Sequence, residues 1–222
     1  KKRDESLAEL PGKVLGANLL KYRGLQAADI NKDVEPRKPT TTISDDFNRG
    51  DGPLGDNWST FGTWSISTNL AYQSLGGNYS ASYNASLSST DHQASLVWAS
   101  AGRVGVMTRQ TGGGQTTGYV AHQDGVIPRC SNGRFSNNTL TILYSEDVNN
   151  SGKIFTSIAD GSSISVKIDG SLFNTTTNTA YTSQVKCGIM NRQTYVDNFE
   201  AADLLAPVIP QILHHRKQMG VS

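Results

Sequence analysis

The sequence predicts an all-β chain, and three observations carry that prediction. Apolar side chains fall at every second position in Ser163-Ile164-Ser165-Val166-Lys167-Ile168, the two-residue period of a strand with one buried face. Asp169-Gly170 comes next. A type I′ turn needs positive φ at both central residues, which this pair supplies, so Leu172-Phe173 begins the return strand of a hairpin. The third observation is compositional: 22 glycines and a charged fraction of 18% in 222 residues suit many short strands joined by tight turns, in a chain long enough for one good-sized core.

Taken in order, residues 1–42 read as an N-terminal arm and linker. Leu7, Leu10, Val14, Leu15, Leu19 and Leu20 allow a short amphipathic helix, but Pro11-Gly12 interrupts it and Gly16 and Gly24 weaken its continuation. Glu35-Pro36-Arg37-Lys38-Pro39 is an extended linker to the body. From Ile43 a short strand leads through a turn-rich loop, Asp45 to Asn57, to Trp58. Trp64-Ser65-Ile66 and Leu70-Ala71-Tyr72 form a hairpin; Ala94, Leu96 and Trp98 alternate, as do Val104 and Val106. Gly112-Gly113-Gly114 is a loop tip before Tyr119-Val120-Ala121. Leu140, Ile142 and Tyr144 then alternate, and Ile154, Thr156 and Ile158 answer them across Asn149-Asn150-Ser151-Gly152. After the 163–173 hairpin, Val185, Cys187 and Ile189 alternate, and Thr194 to Ala202 closes the sheet. So many one-faced strands fit two antiparallel sheets better than one open sheet.

The opening segment Ile43 to Trp58, with Trp64 soon after and Val196-Asp197-Asn198-Phe199-Glu200-Ala201 at the far end, resembles the laminin-G-like, concanavalin A-like lectin/glucanase family. The resemblance covers residues 43–203. It implies a two-sheet antiparallel jelly-roll sandwich, here with extended N- and C-terminal arms, of the kind that recurs in phage virion proteins and bacterial extracellular proteins. It also raises glycoside hydrolysis, which needs two carboxylates about 5 to 10 Å apart. The alternating acidic signature of the laminarinase-like members, Glu-x-Asp-x-x-Glu, is absent, and the body holds only Glu146 and Glu200 as glutamates. A non-enzymatic role is therefore expected.

Other chemistry is sparse. His92 and His122 lie in apparent strands without a neighbouring nucleophile, and His214-His215 lie in the tail. Cys130 and Cys187 are not spaced as zinc ligands and read as two buried thiols, with a bridge between strands as the alternative in an oxidising space. No cofactor is expected. The resembled jelly rolls sometimes hold calcium near the opening and closing strands, which makes Asp45, Asp46 and Asp197 candidate ligands, with Asp51 and Asp56 nearby; turn-capping by the same carboxylates is the competing reading. Arg49-Gly50-Asp51 spells an integrin-type tripeptide within a turn-rich loop. For a glycan site, Tyr79, Tyr83 and Tyr119 are candidate platforms, with Asn84 and His122 as polar partners, whereas Trp58, Trp64 and Trp98 fit the core.

Charge is partitioned along the chain. Residues 1–40 hold nine Lys/Arg against six Asp/Glu, residues 41–203 hold nine against thirteen, and residues 204–222 add Arg216 and Lys217. Basic ends thus flank an acidic body. No long basic run with interleaved aromatics suggests nucleic acid, and no stretch of about 18 apolar residues suggests a membrane span. No secretory signal is visible, and the first residue, Lys1, reads as the start of a matured, trimmed or partial chain.

The C-terminal tail, residues 204–222, opens on the apolar run Leu204 to Leu213, with prolines at 207 and 210. It has no use in a solitary lectin. Leu15, Leu19, Leu20 and Tyr22 in the first arm, and Leu204, Leu205, Val208, Ile209, Ile212 and Leu213 in the second, are the expected docking residues. The sequence thus points to a structural virion protein, a capsid cement, decoration or fibre-type component, that docks on neighbouring subunits of the capsid shell or on copies of itself. A carbohydrate-binding module for surface glycans, in an extracellular setting, is the alternative. Deleting residues 1–40 or 204–222 is expected to leave a folded, soluble sandwich that no longer joins the particle; assembly that survives both deletions refutes the docking role.

Overall fold

The structure, a computed structural model, describes residues 41–204 apart from 75, 76, 78, 101, 113–116, 126–128, 138, 149 and 151. Among the described residues there is no helix, and the strands form two antiparallel sheets packed as a sandwich. The first sheet runs β14 (Ser171–Thr177), β13 (Ser163–Ile168), β12 (Ile154–Asp160), β7 (His92–Trp98), β16 (Tyr195–Asp203), β5 (Leu70–Gln73), β4 (Trp64–Ser67) and β2 (Gly52–Pro53), with β1 (Thr42–Asp45) also paired to β16. The second runs β11 (Thr139–Glu146), β10 (Arg129–Ser136), β9 (Thr117–Asp124), β8 (Arg103–Gln110), β15 (Lys186–Arg192), β6 (Tyr79–Tyr83) and β3 (Trp58–Thr60).

The hairpin read from Asp169-Gly170 is present: φ is 48° at Asp169 and 78° at Gly170, and β13 pairs with β14. The β4–β5 hairpin is also present, turning at Thr68 and Asn69 with φ of 54° and 63°. Thr68 is β-branched and strained there. Its amide donates to the Asp51 carboxylate at 2.8 Å, which pins the turn.

The core lies between the sheets. Ala94, Leu96 and Trp98 of β7, Phe155 of β12 and Val166 of β13 meet Val104, Val106, Ala121, Cys130, Cys187 and Ile189 from the second sheet. Trp58, Trp64 and Trp98 are all buried, as their sequence positions suggest. The rings of Phe47, Tyr83 and Phe199 surround Trp58 at centroid distances of 5.0 to 5.8 Å. A bulge in β16 makes this possible. Val196 and Phe199 sit three residues apart, an odd step that would send them to opposite faces of a regular strand. The register slips between Asp197 and Glu200, with Asn198 at φ 50°, and both side chains reach the core.

Two expectations are corrected. The alternation of Ile154, Thr156 and Ile158 does not answer β11, because β12 pairs with β7 and β13 in the first sheet while β11 edges the second. The phase is also inverted: Phe155, Ser157 and Ala159 face inward, and Ile154 is 46% exposed. Both faces of this strand carry apolar groups, so packing of the larger Phe155 ring decides which is buried. Strand β10 has no hydrophobic period at all, since its buried positions include Ser131, Asn132 and Gly133. Asn132 is accommodated because its amide donates to the Ile164 carbonyl across the sandwich at 2.8 Å.

A buried cation, Arg109, ties four segments together. The register of β8 slips opposite Lys186–Gly188, Arg109 takes a φ of 48°, and its side chain is 1% exposed. Its guanidinium donates to the carbonyls of Thr90, Gly161 and Tyr181 and to the Asp91 carboxylate at 2.7 to 3.2 Å. Its amide donates to His92 Nε2 at 2.9 Å. His92 therefore holds its proton on Nδ1, which faces the Ser89 carbonyl at 2.9 Å, and burial keeps the ring neutral by pushing its pKa down. Replacing Arg109 with Ala takes the guanidinium donor from three carbonyls, while Asp91, 43% exposed, keeps the Gly161 amide. The expected loss is about 1 to 3 kcal/mol for each carbonyl left buried and unpaired, read as a lowered midpoint in urea denaturation. Arg109→Lys is expected to recover only part of it, since one ammonium cannot span four acceptors.

Candidate functional site

Two concavities among the described residues contain candidates named from the sequence. The first, about 430 Å3, lies where β1 meets the bulge of β16 and is lined by Ser44, Asp45, Asp46, Arg49, Asn57, Asn198, Phe199 and Glu200. It holds two of the calcium candidates, Asp45 and Asp46, while Asp197 precedes its lining residue Asn198, and each of the three has other work. Asp45 accepts two bonds from the Arg49 guanidinium at 2.7 and 3.1 Å, one from Trp58 Nε1 at 2.7 Å and one from the Phe47 amide at 2.8 Å. Burial pushes its carboxyl up, but these bonds and the Arg49 charge outweigh burial and hold it below the ordinary value. Asp46 caps the Asn48 amide and Asp197 the Asn198 amide. Burial raises the Asp197 pKa, and the Asp46 charge adds to that against the Asn198 bond.

Each of these three carboxylates thus caps a turn amide. Among the described residues no three His, Cys, Asp or Glu side chains gather as a metal set. The Arg49-Gly50-Asp51 tripeptide is likewise built into the turns, through Arg49 on Asp45 and Asp51 on Thr68.

The three candidate tyrosines do not form a platform. Tyr119 is fully buried and its hydroxyl donates to Asn178, which corrects its reading as a glycan platform. Tyr83 packs edge-on against Trp58 and stacks on Phe199, so it belongs to the core rim. Tyr79 is half-buried beside Phe61 at 5.5 Å, flanked by Gly62 and Gly77, where an added Cβ would fall 2.5 and 2.6 Å from its ring. Asn84 is occupied by Ser59 and the Asp56 carbonyl. Of the docking residues, Leu204 is half-buried and its amide donates to the Asp91 carbonyl at 2.8 Å. Leu15, Leu19, Leu20, Tyr22, Leu205, Val208, Ile209, Ile212 and Leu213 lie outside the described residues.

The second concavity is on the face of the second sheet turned away from the sandwich core. That face carries its own apolar cluster, Met107, Val120, Phe135 and Met190, with Leu140 packed against it. Gly105 makes room for it, because a Cβ there would sit 2.5 Å from Val120 Cγ2 and 3.1 Å from the Met190 methyl. Beside this cluster, Arg103, His122, Asp124, Arg129, Thr139, Leu140 and Ile142 line a pocket of about 350 Å3.

Four adjacent strands supply these residues. Arg103 opens β8, His122 and Asp124 end β9, Arg129 opens β10, and Thr139, Leu140 and Ile142 belong to the edge strand β11. Arg103 pairs with Asp124 at 2.9 Å, and Arg129 pairs with Asp147 at 3.0 Å. His122 Nδ1 meets the Ser131 hydroxyl at 3.2 Å. His122 Nε2 and Arg103 Nε are buried and make no hydrogen bond. Burial drives the His122 pKa down to about 4; the Asp124 charge opposes this and the Arg103 charge assists it. The ring is neutral. A pocket with unspent hydrogen-bonding capacity beside an apolar wall suits a ligand that is polar on one side and C–H-rich on the other.

Sequence reasoning named His122 but not Arg103, Asp124 or Arg129. They come from three strands, so no spacing joins them, and only the sheet register brings them together. The two cysteines are free and buried. Burial pushes the Cys130 thiol up to about 12 and the Cys187 thiol upward as well, which keeps both protonated and unreactive.

No protein-family model and no curated protein matches the chain. Among solved structures it is similar to the carbohydrate binding module CBM66 from Bacillus subtilis, with a TM-score of 0.56 and 16% identity over 67% of this chain and 96% of the module. It is similar to the Emp47p carbohydrate recognition domain, with a TM-score of 0.53 and 11% identity over 77% and 99%. It is also similar to the exoplasmic/lumenal domain of VIP36 in its calcium- and mannose-bound form, with a TM-score of 0.51 and 12% identity over 68% and 84%. At such identities the likeness establishes the fold, a lectin-like jelly roll, and agrees with the resemblance at the two ends of the domain.

The His122 environment sets a pH dependence. An unfolded histidine titrates near 6.5 and this one near 4, so on acidification the unfolded chain binds a proton before the folded one does. Stability is lost between those values, by up to about 1.4 kcal/mol per pH unit. His122→Asn, which keeps an amide near the Nδ1 position, is expected to lose less stability than the parent between pH 7 and pH 4.5 in chemical denaturation.

Proposed function

We propose that the chain is a carbohydrate-binding module, with the pocket beside His122 as its glycan site. The observation that carries this reading is the pairing of unspent polar atoms, on His122 and Arg103, with the apolar edge of Leu140 and Ile142 in one concavity. A pyranose presents hydroxyls around its rim and C–H bonds on its faces, and the pocket offers a counterpart to each. The structural similarities support the class, since the three structures are a carbohydrate binding module, a carbohydrate recognition domain and a mannose-bound domain. The surrounding setting in this reading is extracellular or a particle surface.

A particle role is the second reading, and the composition of the two ends favours it. The apolar run 204–213 and the basic residues of 1–40 fit a virion structural component of capsid cement, decoration or fibre type that displays this domain. The two readings are compatible, because a displayed sandwich can carry a glycan site.

Immobilised glycans test the first. The purified chain is expected to bind at least one glycan class on an array, and Arg103→Gln is expected to weaken that binding at least tenfold while leaving the circular dichroism spectrum unchanged. Full binding by the Arg103 variant removes the pocket from the function, and an array with no signal leaves the particle role alone.

A further inference from the structure

Resting on the carbohydrate reading, we infer that the His122 pocket selects an acidic sugar, one whose pyranose carries a carboxylate. The body of the chain is acidic, with thirteen Asp/Glu against nine Lys/Arg in residues 41–203. Its pocket is not. Arg103 and Arg129 both line it against the single lining carboxylate Asp124, and the imidazole of His122 is uncharged; with Asp147, the surface partner of Arg129, the local charges balance on an otherwise negative domain. Displacing Asp147 would leave the lining positive, an arrangement that a neutral glycan would not require.

The arginines differ in how tightly they are held. Arg103 is bound to Asp124 through Nη2, but its Nε is buried without an acceptor, a donor-only group that needs an incoming oxygen lone pair. Arg129 is paired to Asp147 on the surface, where the two side chains are 40% and 67% exposed. Such a pair is weak and screened, so Arg129 is available to a better partner. A carboxylate is acceptor-only and planar, and it answers both guanidinium groups at once. A dianionic phosphate would set two charges against Asp124 within the same pocket. With Arg129 released from Asp147, the lining carries a single positive charge, which suits a monoanion. Leu140 and Ile142, the latter 44% exposed, supply the wall for the ring itself.

The test is a glycan array carrying glucuronate- and sialate-terminated glycans, the methyl esters of the same glycans, neutral counterparts, and sulfated and phosphorylated sugars, probed with the full chain. The expected result is binding to one or more of the free acids that falls at least tenfold on the matching methyl ester. It should fall similarly for Arg129→Gln, with partial recovery in Arg129→Lys. Equal binding to acid and ester, or a preference for neutral, sulfated or phosphorylated glycans, overturns the carboxylate assignment while the carbohydrate reading stands. An array with no signal at all overturns both.

Discussion

Closure of this sandwich waits on its last strand. β16 pairs with β7 along one edge and, along the other, with β5 at its start and β1 at its end. Strands from the beginning, middle and end of the domain meet only there, so the first sheet cannot be completed until a pairing that spans more than 150 residues, Thr42 with Ala202, has formed. Such non-local pairing costs loop entropy before it returns any contact energy. The bulge at Asp197–Glu200 then decides what the closure achieves, because it brings Phe199 onto the Trp58 ring where the opening segment is anchored. Asp45 sits at the same junction and binds Trp58 and Arg49, so polar and aromatic contacts enforce the same geometry.

The second sheet has a different task on each of its faces. Inward it meets the main core. Outward it keeps a small apolar cluster under glycine clearance and, beside it, a pocket in which charge is paired but hydrogen-bonding capacity is not exhausted. A buried imidazole that stays neutral is suited to such a place. It brings a polar atom without adding charge, so the electrostatic sign of the pocket is left to the arginines and Asp124.

Legibility in the amino acids obeys the same physics. β13 is legible because its outward positions are Ser and Lys, and the turn after it because only certain residues accept two consecutive positive φ values. β7 is legible for the same reason at Gln93 and Ser95, though Val97 also faces outward. β12 is ambiguous, since both its faces carry apolar groups, and β10 is invisible, since burial on both faces there is met by glycine and hydrogen-bonded polar groups instead of a hydrophobic stripe. The pocket is hidden for a topological reason: Arg103, Asp124 and Arg129 are neighbours only through the register of β8, β9 and β10. The tyrosines mislead because residue type alone does not tell a buried ring from an exposed platform, and Tyr119 lies buried within β9.

The Asp203 amide donates to the Thr41 carbonyl at 3.2 Å, and the Thr41 hydroxyl meets Ser88, whose own hydroxyl bonds Asp203. Entry to and exit from the domain are therefore side by side. A handful of residues would splice the two, so new ends could be opened at a distant turn such as Asp169-Gly170 without unpicking either sheet. By the same token, ends this close suit insertion of the unit into a surface loop of an unrelated scaffold.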